Sequence, residues 1–116
     1  MRFKTGVKMP RVLDPRMHVA LDAIERSWLD VRQLDEDTPT EPTITSWADG
    51  VHRVGSYHYS GRAVDVRTKS LPREHVPLFV ADLKRRIGSL GFDVVLEDFD
   101  GPNEHLHLEL DRRADE

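Results

Sequence analysis

Apolar residues recur along this chain at two spacings, and each spacing predicts a different kind of element. Spacings of three and four positions indicate an amphipathic helix with one buried face. The first such run, over residues 15–33, comprises Met17, Ala20, Leu21, Ile24, Trp28 and Val31. The second, over residues 77–90 or starting one turn earlier, comprises Phe79, Val80, Leu83, Ile87 and Leu90. The pattern therefore predicts two helices.

Residues at the ends of these runs support the predicted helix limits. Asp14 precedes Pro15, and this pair suits a helix start because aspartate accepts backbone N–H groups and proline fits the first turn. Gly91 suits the left-handed residue that closes the second helix. His18 lies beside the first apolar stripe, so we expect it to be structural or exposed.

Alternating and β-branched segments predict the strands of a small sheet. They are a short edge strand at 3–7, a central strand at 43–47, and further strands at 62–67, 92–96 and 105–110. Strands and helices together predict an α+β domain in which one small antiparallel sheet packs on two helices. With 116 residues, the chain is expected to form one domain, residues 1–116, and to be a monomer.

Two of these strands combine an apolar face with a face of possible metal ligands. In the 62–67 strand two valines share one face, and Asp65 lies on the other. In the 105–110 strand three leucines alternate with His105, His107 and Glu109. If the two strands pair with their apolar faces on one core, Asp65 comes close to His107 on the open face.

Composition narrows the classes of partner and of site. A net charge of −4 argues against nucleic acid as the main partner, because phosphate binding usually rests on a basic surface. No apolar run approaches the length of a membrane span, and no apolar core follows the basic N-terminus, so we expect no signal peptide and synthesis in the cytoplasm. The chain has no cysteine, so any zinc site must use nitrogen and oxygen ligands.

The polar residues around the two ligand-bearing strands predict such a zinc site. A catalytic zinc usually takes three protein ligands and leaves a fourth position for water. His58 precedes the strand that carries Asp65, and Gly61 between them allows the chain to fold back. His58, Asp65 and His107 can therefore form a ligand triad on the open face.

These positions also carry a resemblance to a known family. The pattern SxHxxGxAxD is matched by Ser56, His58, Gly61, Ala63 and Asp65, and a following ExxH by Glu104 and His107. The chain resembles the zinc D-alanyl-D-alanine carboxypeptidases and dipeptidases and the phage L-alanyl-D-glutamate endopeptidases. Their fold is shared with the hedgehog signalling domain. The resemblance covers roughly residues 43–110.

The resemblance implies a role for each matched position. His58, Asp65 and His107 fall where the family has its zinc ligands, and Glu104 falls where it has the carboxylate that activates the metal-bound water. Ser56 falls where the family has a serine near the substrate. The implied activity is hydrolysis of a D-amino-acid-containing peptide bond in peptidoglycan.

Several assignments stay open on the sequence alone. In a regular strand Glu104 would point away from the metal, so it can serve only if it lies before the pleat begins. His105 is an auxiliary catalytic candidate, because more distant relatives of this fold have an acid/base or oxyanion histidine two residues before the last ligand. Glu109 is expected to support a ligand or lie at the surface. Arg53 is a candidate for holding a substrate carboxylate, and the same task is open to Arg62 and Arg67.

Two functions from different classes fit this sequence. The first is a zinc peptidase that acts on a peptidoglycan stem or cross-link and leaves the cytoplasm by a phage route. The second is a non-catalytic zinc-binding module, such as a phage structural or interaction protein that has kept the scaffold, since a fold does not fix a function.

Overall fold

A mixed five-stranded sheet and two helices make up the part of the chain that the computed structural model describes, namely residues 1–7, 14–47 and 61–111. The strands are β1 Arg2–Phe3, β2 Thr43–Ser46, β3 Ala63–Val66, β4 Phe92–Glu97 and β5 His105–Leu110. The helices are α1 Met17–Arg32 and α2 Val76–Ile87, and 3₁₀ turns at Arg73–His75 and Gly88–Leu90 flank α2. The predicted α+β class is confirmed, and the two helices and the four longer strands have counterparts, whereas the edge strand predicted at 3–7 is only Arg2–Phe3.

The order of strands in the sheet is β1-β2-β3-β5-β4. The expectation of an antiparallel sheet is wrong at one edge, where β1 runs parallel to β2 with Arg2 opposite Thr43. The reason is that α1 lies between these strands in the chain, and a helical crossover returns the chain in its original direction. The other three neighbouring pairs are antiparallel.

Helix α1 begins two residues later than predicted, at Met17. Asp14 still helps to start it, because its Oδ1 accepts the backbone N–H of Arg16 at 3.0 Å. The predicted stripe is buried except for Leu21, which is partly buried, and His18 is exposed. The face predicted from the apolar spacing is therefore the face that packs on the core.

Helix α2 packs on α1 and ends at Ile87, three residues before the predicted limit, where the 3₁₀ turn Gly88–Leu90 takes over. Phe79 meets Trp28 of α1 edge to face, with 5.5 Å between the ring centroids. Gly91 follows the last 3₁₀ turn with φ 93°, a left-handed conformation that glycine adopts without a Cβ clash. Leu90 is exposed, because the 3₁₀ turn changes the helical period before the apolar stripe reaches it.

The core lies between the helices and one face of the sheet. Its central strands supply five side chains with no exposed surface, and burial of each stabilises the fold by about 2 kcal/mol. They are Val64, Val66, Leu106, Leu108 and Leu110. The opposite face of β5 is only partly buried, so the predicted separation of an apolar face from a ligand face is confirmed for this strand.

No helix in the described residues is long and apolar enough to cross a membrane.

Candidate metal centre

Strands β3 and β5 bring two of the predicted zinc ligands together. Asp65 and His107 are directly opposite each other in the antiparallel register. The distance between Asp65 Oδ1 and His107 Nδ1 is 2.8 Å. This proximity was predicted from side-chain alternation, and the pairing of the two strands confirms it.

Both ring nitrogens of His107 face carboxylates. Nδ1 lies against Asp65, and Nε2 is 3.1 Å from Glu109 Oε1. Burial lowers the pKa of His107, but the hydrogen bond and charge of Asp65, together with Glu109, outweigh burial and raise the pKa above 6.5. A carboxylate on the second nitrogen of a ligating histidine fixes the ring and increases its basicity, so Glu109 is placed to support His107 as a ligand.

Two further side chains complete the group that we call the open-face cluster: Asp65, Glu97, His105, His107 and Glu109. Glu97 Oε1 lies 3.5 Å from His105 Nε2 and 3.9 Å from His107 Nδ1. The His105 Nδ1 is 2.6 Å from the carbonyl oxygen of Asn103, which only accepts hydrogen bonds, so Nδ1 carries a proton. The Nε2 atom of His105 consequently faces Glu97 and, at 3.9 Å, Asp65.

Sequence reasoning did not identify Glu97 as part of this cluster. The residue stands opposite His105 in the β4–β5 register and is therefore on the same face of the sheet. Alternation within 92–97 would have placed Glu97 with Asp93 and Val95, but only the register between the strands brings it next to the histidines.

Glu104 has a very different environment from the open-face cluster. It immediately precedes β5, as its predicted role requires, and its side chain has 0% of its surface exposed. Its Oε1 accepts hydrogen bonds from Arg73 Nη1 at 2.5 Å and from the Asp100 N–H at 3.0 Å. Its Oε2 accepts from Thr68 Oγ1 at 2.5 Å and from Arg73 Nη2 at 3.3 Å. We call Glu104, Arg73, Thr68 and Asp100 the Glu104 network.

The Glu104 network keeps its carboxyl group ionised. Burial raises the pKa of Glu104, but hydrogen bonds from Arg73 and Thr68 and the positive charge of Arg73 outweigh burial, so the pKa lies below its usual 4.5. Each carboxylate oxygen already accepts two hydrogen bonds. A proton can reach this carboxylate only if one of those contacts loosens.

The loop before Glu104 has a shape that its sequence favours. Asp98 and Asp100 adopt left-handed φ angles of 51° and 63°, which aspartate tolerates better than most residues. A Cβ on Gly101 would lie 2.1 Å from Asp98 Oδ1, so a larger residue here would displace the Asp98 side chain from its place in the loop. Asp98 Oδ2 accepts the N–H of Asn103 at 2.8 Å, which turns the chain into Glu104 and β5.

A shallow pocket of about 560 Å³ adjoins both groups. Asp65 and His105 line it from the open-face cluster, and Glu104 lines it from its own network. The remaining walls come from Lys4, Thr45, Arg67, Lys69, Pro102 and Asn103. A molecule in this pocket would therefore lie against Asp65 and His105, whereas the Glu104 carboxylate is covered by its own network.

Three of the predicted site residues fall outside the described part of the chain: His58, Ser56 and Arg53. The two alternative substrate cations are placed at opposite ends of β3. Arg62 donates to the carbonyl oxygen of Asp111 at 3.2 Å, whereas Arg67 lines the pocket.

Asp65 and His107 have the chemistry and spacing to share a zinc ion. A tetrahedral zinc with ligands at about 2.0 Å separates their donor atoms by about 3.3 Å, and the present separation of 2.8 Å requires only a small side-chain adjustment. Within residues 1–7, 14–47 and 61–111, no group of three or more His, Cys, Asp or Glu side chains is arranged to hold a metal ion. The third predicted ligand, His58, lies outside these ranges. Of the three proposed protein ligands, the described residues therefore supply two, Asp65 and His107.

Comparison of the chain with models of known protein families and with curated proteins gave no match.

Proposed function

We propose that this protein is a zinc-dependent peptidase that hydrolyses a D-amino-acid-containing bond in a peptidoglycan stem or cross-link, and that its domain has the hedgehog/DD-peptidase fold. The observation that carries the proposal is the contact between Asp65 and His107 across neighbouring strands, at 2.8 Å on a partly open sheet face. These two residues are the ones that the sequence pattern assigns to zinc.

In this proposal His58, Asp65 and His107 hold the zinc ion. When bound, zinc lowers the pKa of a water ligand and polarises the carbonyl group of the bond to be cut. Asp65 and Glu109 hold the His107 ring from its two nitrogens, so that its orientation is set before any ion arrives. Ser56 and Arg53 are proposed to contact substrate.

Glu104 is the proposed proton acceptor, and His105 is an auxiliary catalytic group. Both residues adjoin the pocket that Asp65 also lines, although only the His105 side chain is exposed to it and the Glu104 side chain is buried. Glu104 is ionised near neutral pH, as a base must be, but the same contacts that lower its pKa weaken it as a proton acceptor. To take a proton from the attacking water, Glu104 must give up part of its contact with Arg73 or Thr68. That proton would then pass to the leaving amine.

The alternative is a non-catalytic zinc-binding module, and one observation favours it. Both oxygens of Glu104 are fully occupied by Arg73, Thr68 and the Asp100 backbone, as expected of a group that stabilises the fold. In this alternative Glu104 anchors the start of β5, and His58, Asp65 and His107 bind zinc without turnover.

Digestion of purified peptidoglycan by the zinc-loaded protein separates the two functions. Mass spectrometry of the released ends identifies the bond that is cut, and Glu104→Gln serves as the matched variant because it keeps the shape of the side chain. We expect new ends from the parent protein and at least about 100-fold fewer from the variant, as for loss of a general base. Equal cleavage by the two proteins would exclude Glu104 as the base, and zinc binding without any cleavage would establish the alternative.

A further inference from the structure

Strand β4 lies at one edge of the sheet and turns a row of backbone groups outward. The N–H of Asp111 donates to the carbonyl oxygen of Gly91 at 2.9 Å, which extends the β4–β5 ladder by one pair. Hydrogen-bonded pairs alternate in an antiparallel ladder, so the backbone groups of Phe92, Val94 and Leu96 point away from β5. In the described part of the chain, no strand pairs with this outer side of β4.

The two edges of the sheet differ in what they offer to another strand. At one edge β1 has only two residues, whereas β4 has six, Phe92–Glu97. Six residues are an ordinary length for a paired strand. The sequence of β4 contains neither proline nor lysine, two residues with which proteins often protect a sheet edge. An added strand can therefore form hydrogen bonds along the whole of β4.

The side chains of β4 on the open face of the sheet select the kind of strand that fits. Asp93, Val95 and Glu97 alternate along this face, and Val95 and Glu97 are about half exposed. Asp93 also lies directly opposite Glu109 of β5. Cross-strand neighbours of opposite charge stabilise a sheet, and like charges destabilise it. A strand beside β4 should therefore carry basic side chains opposite Asp93 and Glu97, and an apolar one opposite Val95.

A pocket of about 520 Å³ lies at the start of β4 and has the same preference for positive charge. Leu90, which is 53% exposed, forms an apolar wall, and Asp93 and Asp111 supply carboxylates. Among the described residues that line this pocket, none is a cation. An arginine side chain joins an apolar stem to a planar group that binds carboxylates. It therefore suits this pocket better than an acidic or a purely apolar side chain.

A second copy of the chain fits the edge poorly. It would bring its own Asp93 and Glu97 to the same face, and each copy has a net charge of −4. We infer that the outer edge of β4 binds an extended basic peptide segment of a partner protein by strand addition, with an arginine in the pocket beside Leu90. The inference goes beyond the proposed function and requires no zinc, because it uses the side of β4 that faces away from β5.

The binding test uses the full chain without added zinc and three short peptides. The first is acetyl-Lys-Thr-Val-Thr-Arg-amide, which in antiparallel pairing places arginine at Asp93 and lysine at Glu97. The second is the same peptide with both threonine nitrogens methylated, and the third has glutamate in place of lysine and arginine. We expect the first peptide to shift the amide NMR signals of Val94 and Leu96. Methylation removes two backbone donors and should weaken binding at least about tenfold.

A pair of matched variants tests the acidic residues at the pocket. Asp93→Asn/Asp111→Asn should weaken binding of the basic peptide about fivefold, because two partly exposed ion pairs are lost. Glu36→Gln/Glu74→Gln removes the same charge from exposed positions elsewhere and should leave the affinity unchanged. If the first variant fails to fold, the comparison of the three peptides on the parent protein still decides.

Several results would overturn the inference. Equal binding of the methylated and unmethylated peptides would show charge attraction without strand addition, and equal binding of the acidic peptide would exclude selection by charge. No shift in β4 with the basic peptide would mean that the acidic residues only protect the edge. Shifts at Val94 and Leu96 that instead follow protein concentration, with a dimer in sedimentation, would make a second copy the occupant.

Discussion

The open-face cluster and the Glu104 network place carboxylates in opposite situations. In the network a single carboxylate receives four hydrogen bonds, two of them from one guanidinium group. In the open-face cluster the three carboxylates and two imidazoles mostly face one another, with donor-to-acceptor separations from 2.8 to 3.9 Å. The carboxylate of the network is surrounded by donors, whereas the contacts within the cluster pair carboxylates with imidazoles.

This difference separates groups that stabilise the fold from groups that can bind a ligand. A buried carboxylate without partners would cost several kcal/mol, so the chain surrounds Glu104 with donors. Asp65 and Glu97 are more exposed than Glu104, so the cost of desolvating them is smaller and a cation could approach them. Changes to the two groups should consequently have separate effects, on metal affinity in one and on the free energy of unfolding in the other.

The largest expected effect follows replacement of a proposed zinc ligand in the open-face cluster. His107→Ala removes an imidazole that Asp65 and Glu109 hold in place. We expect zinc affinity to fall by more than about 100-fold, beyond the effect of losing a group that only supports a ligand. Competition with a chromophoric chelator measures the change, and His18→Ala, which alters an exposed histidine of α1, is the matched control. Unchanged affinity in His107→Ala would place the zinc site elsewhere.

Next in size is the loss of the cation from the Glu104 network. Arg73→Ala leaves Glu104 buried with fewer donors, and we expect the free energy of unfolding to fall by about 3 kcal/mol. The value is at the low end for a buried pair because Arg73 itself is 43% exposed. Denaturant titration measures it. Arg26→Ala, which breaks an exposed pair with Asp22, should cost less than about 0.5 kcal/mol. Similar losses in the two variants would show that the network adds no special stability.

A smaller effect is expected when the support of His107 is weakened. Glu109→Gln keeps the size of the side chain but removes the charge that faces His107 Nε2. Zinc affinity should fall about tenfold, because loss of such a support typically costs 10-fold to 100-fold. The free energy of unfolding of the metal-free protein should change little. A variant with the parent affinity would mean that Glu109 does not orient the ring.

The smallest effect concerns the pH dependence of stability. In the metal-free protein, the contributions of Glu104 and His107 should change with pH in opposite directions. The pKa of Glu104 is lowered from 4.5, so its contribution to stability is present above that pH and is lost as the pH falls through the folded-state pKa. The pKa of His107 is raised from 6.5, so its contribution is present below that pH and is lost as the pH rises through the folded-state pKa.

Unfolding titrations across the acid and alkaline ranges test this opposition. In Glu104→Gln the free energy of unfolding should depend less on pH in the acid range alone. In His107→Gln it should depend less on pH in the alkaline range alone. A variant that altered the pH dependence of stability in both ranges would show that the two groups are coupled through β5 rather than independent.

Much of the fold was predictable because local patterns decide it. The helical stripe that includes Ile24 and Trp28 and the alternation in β5 each follow from the burial of apolar side chains on one face. Asp65 and His107 could be placed together because both strands must turn their apolar faces to the same core. The parallel pairing of β1 could not be predicted, since it depends on the path of the chain around α1.

The features of the candidate site can likewise be separated into those that local sequence decides and those that tertiary contacts decide. The sequence by itself identified the candidate metal ligands and placed Asp65, His105 and His107 on the faces of their strands away from the core, because side-chain direction in a strand is a local property. Only the tertiary structure brought Glu97 beside the histidines, joined Glu104 to Arg73 across 31 positions of the chain, and gathered Lys4 with Arg67 in one pocket. These contacts depend on strand register and on the path of loops, which are fixed by packing between distant segments and leave no local pattern.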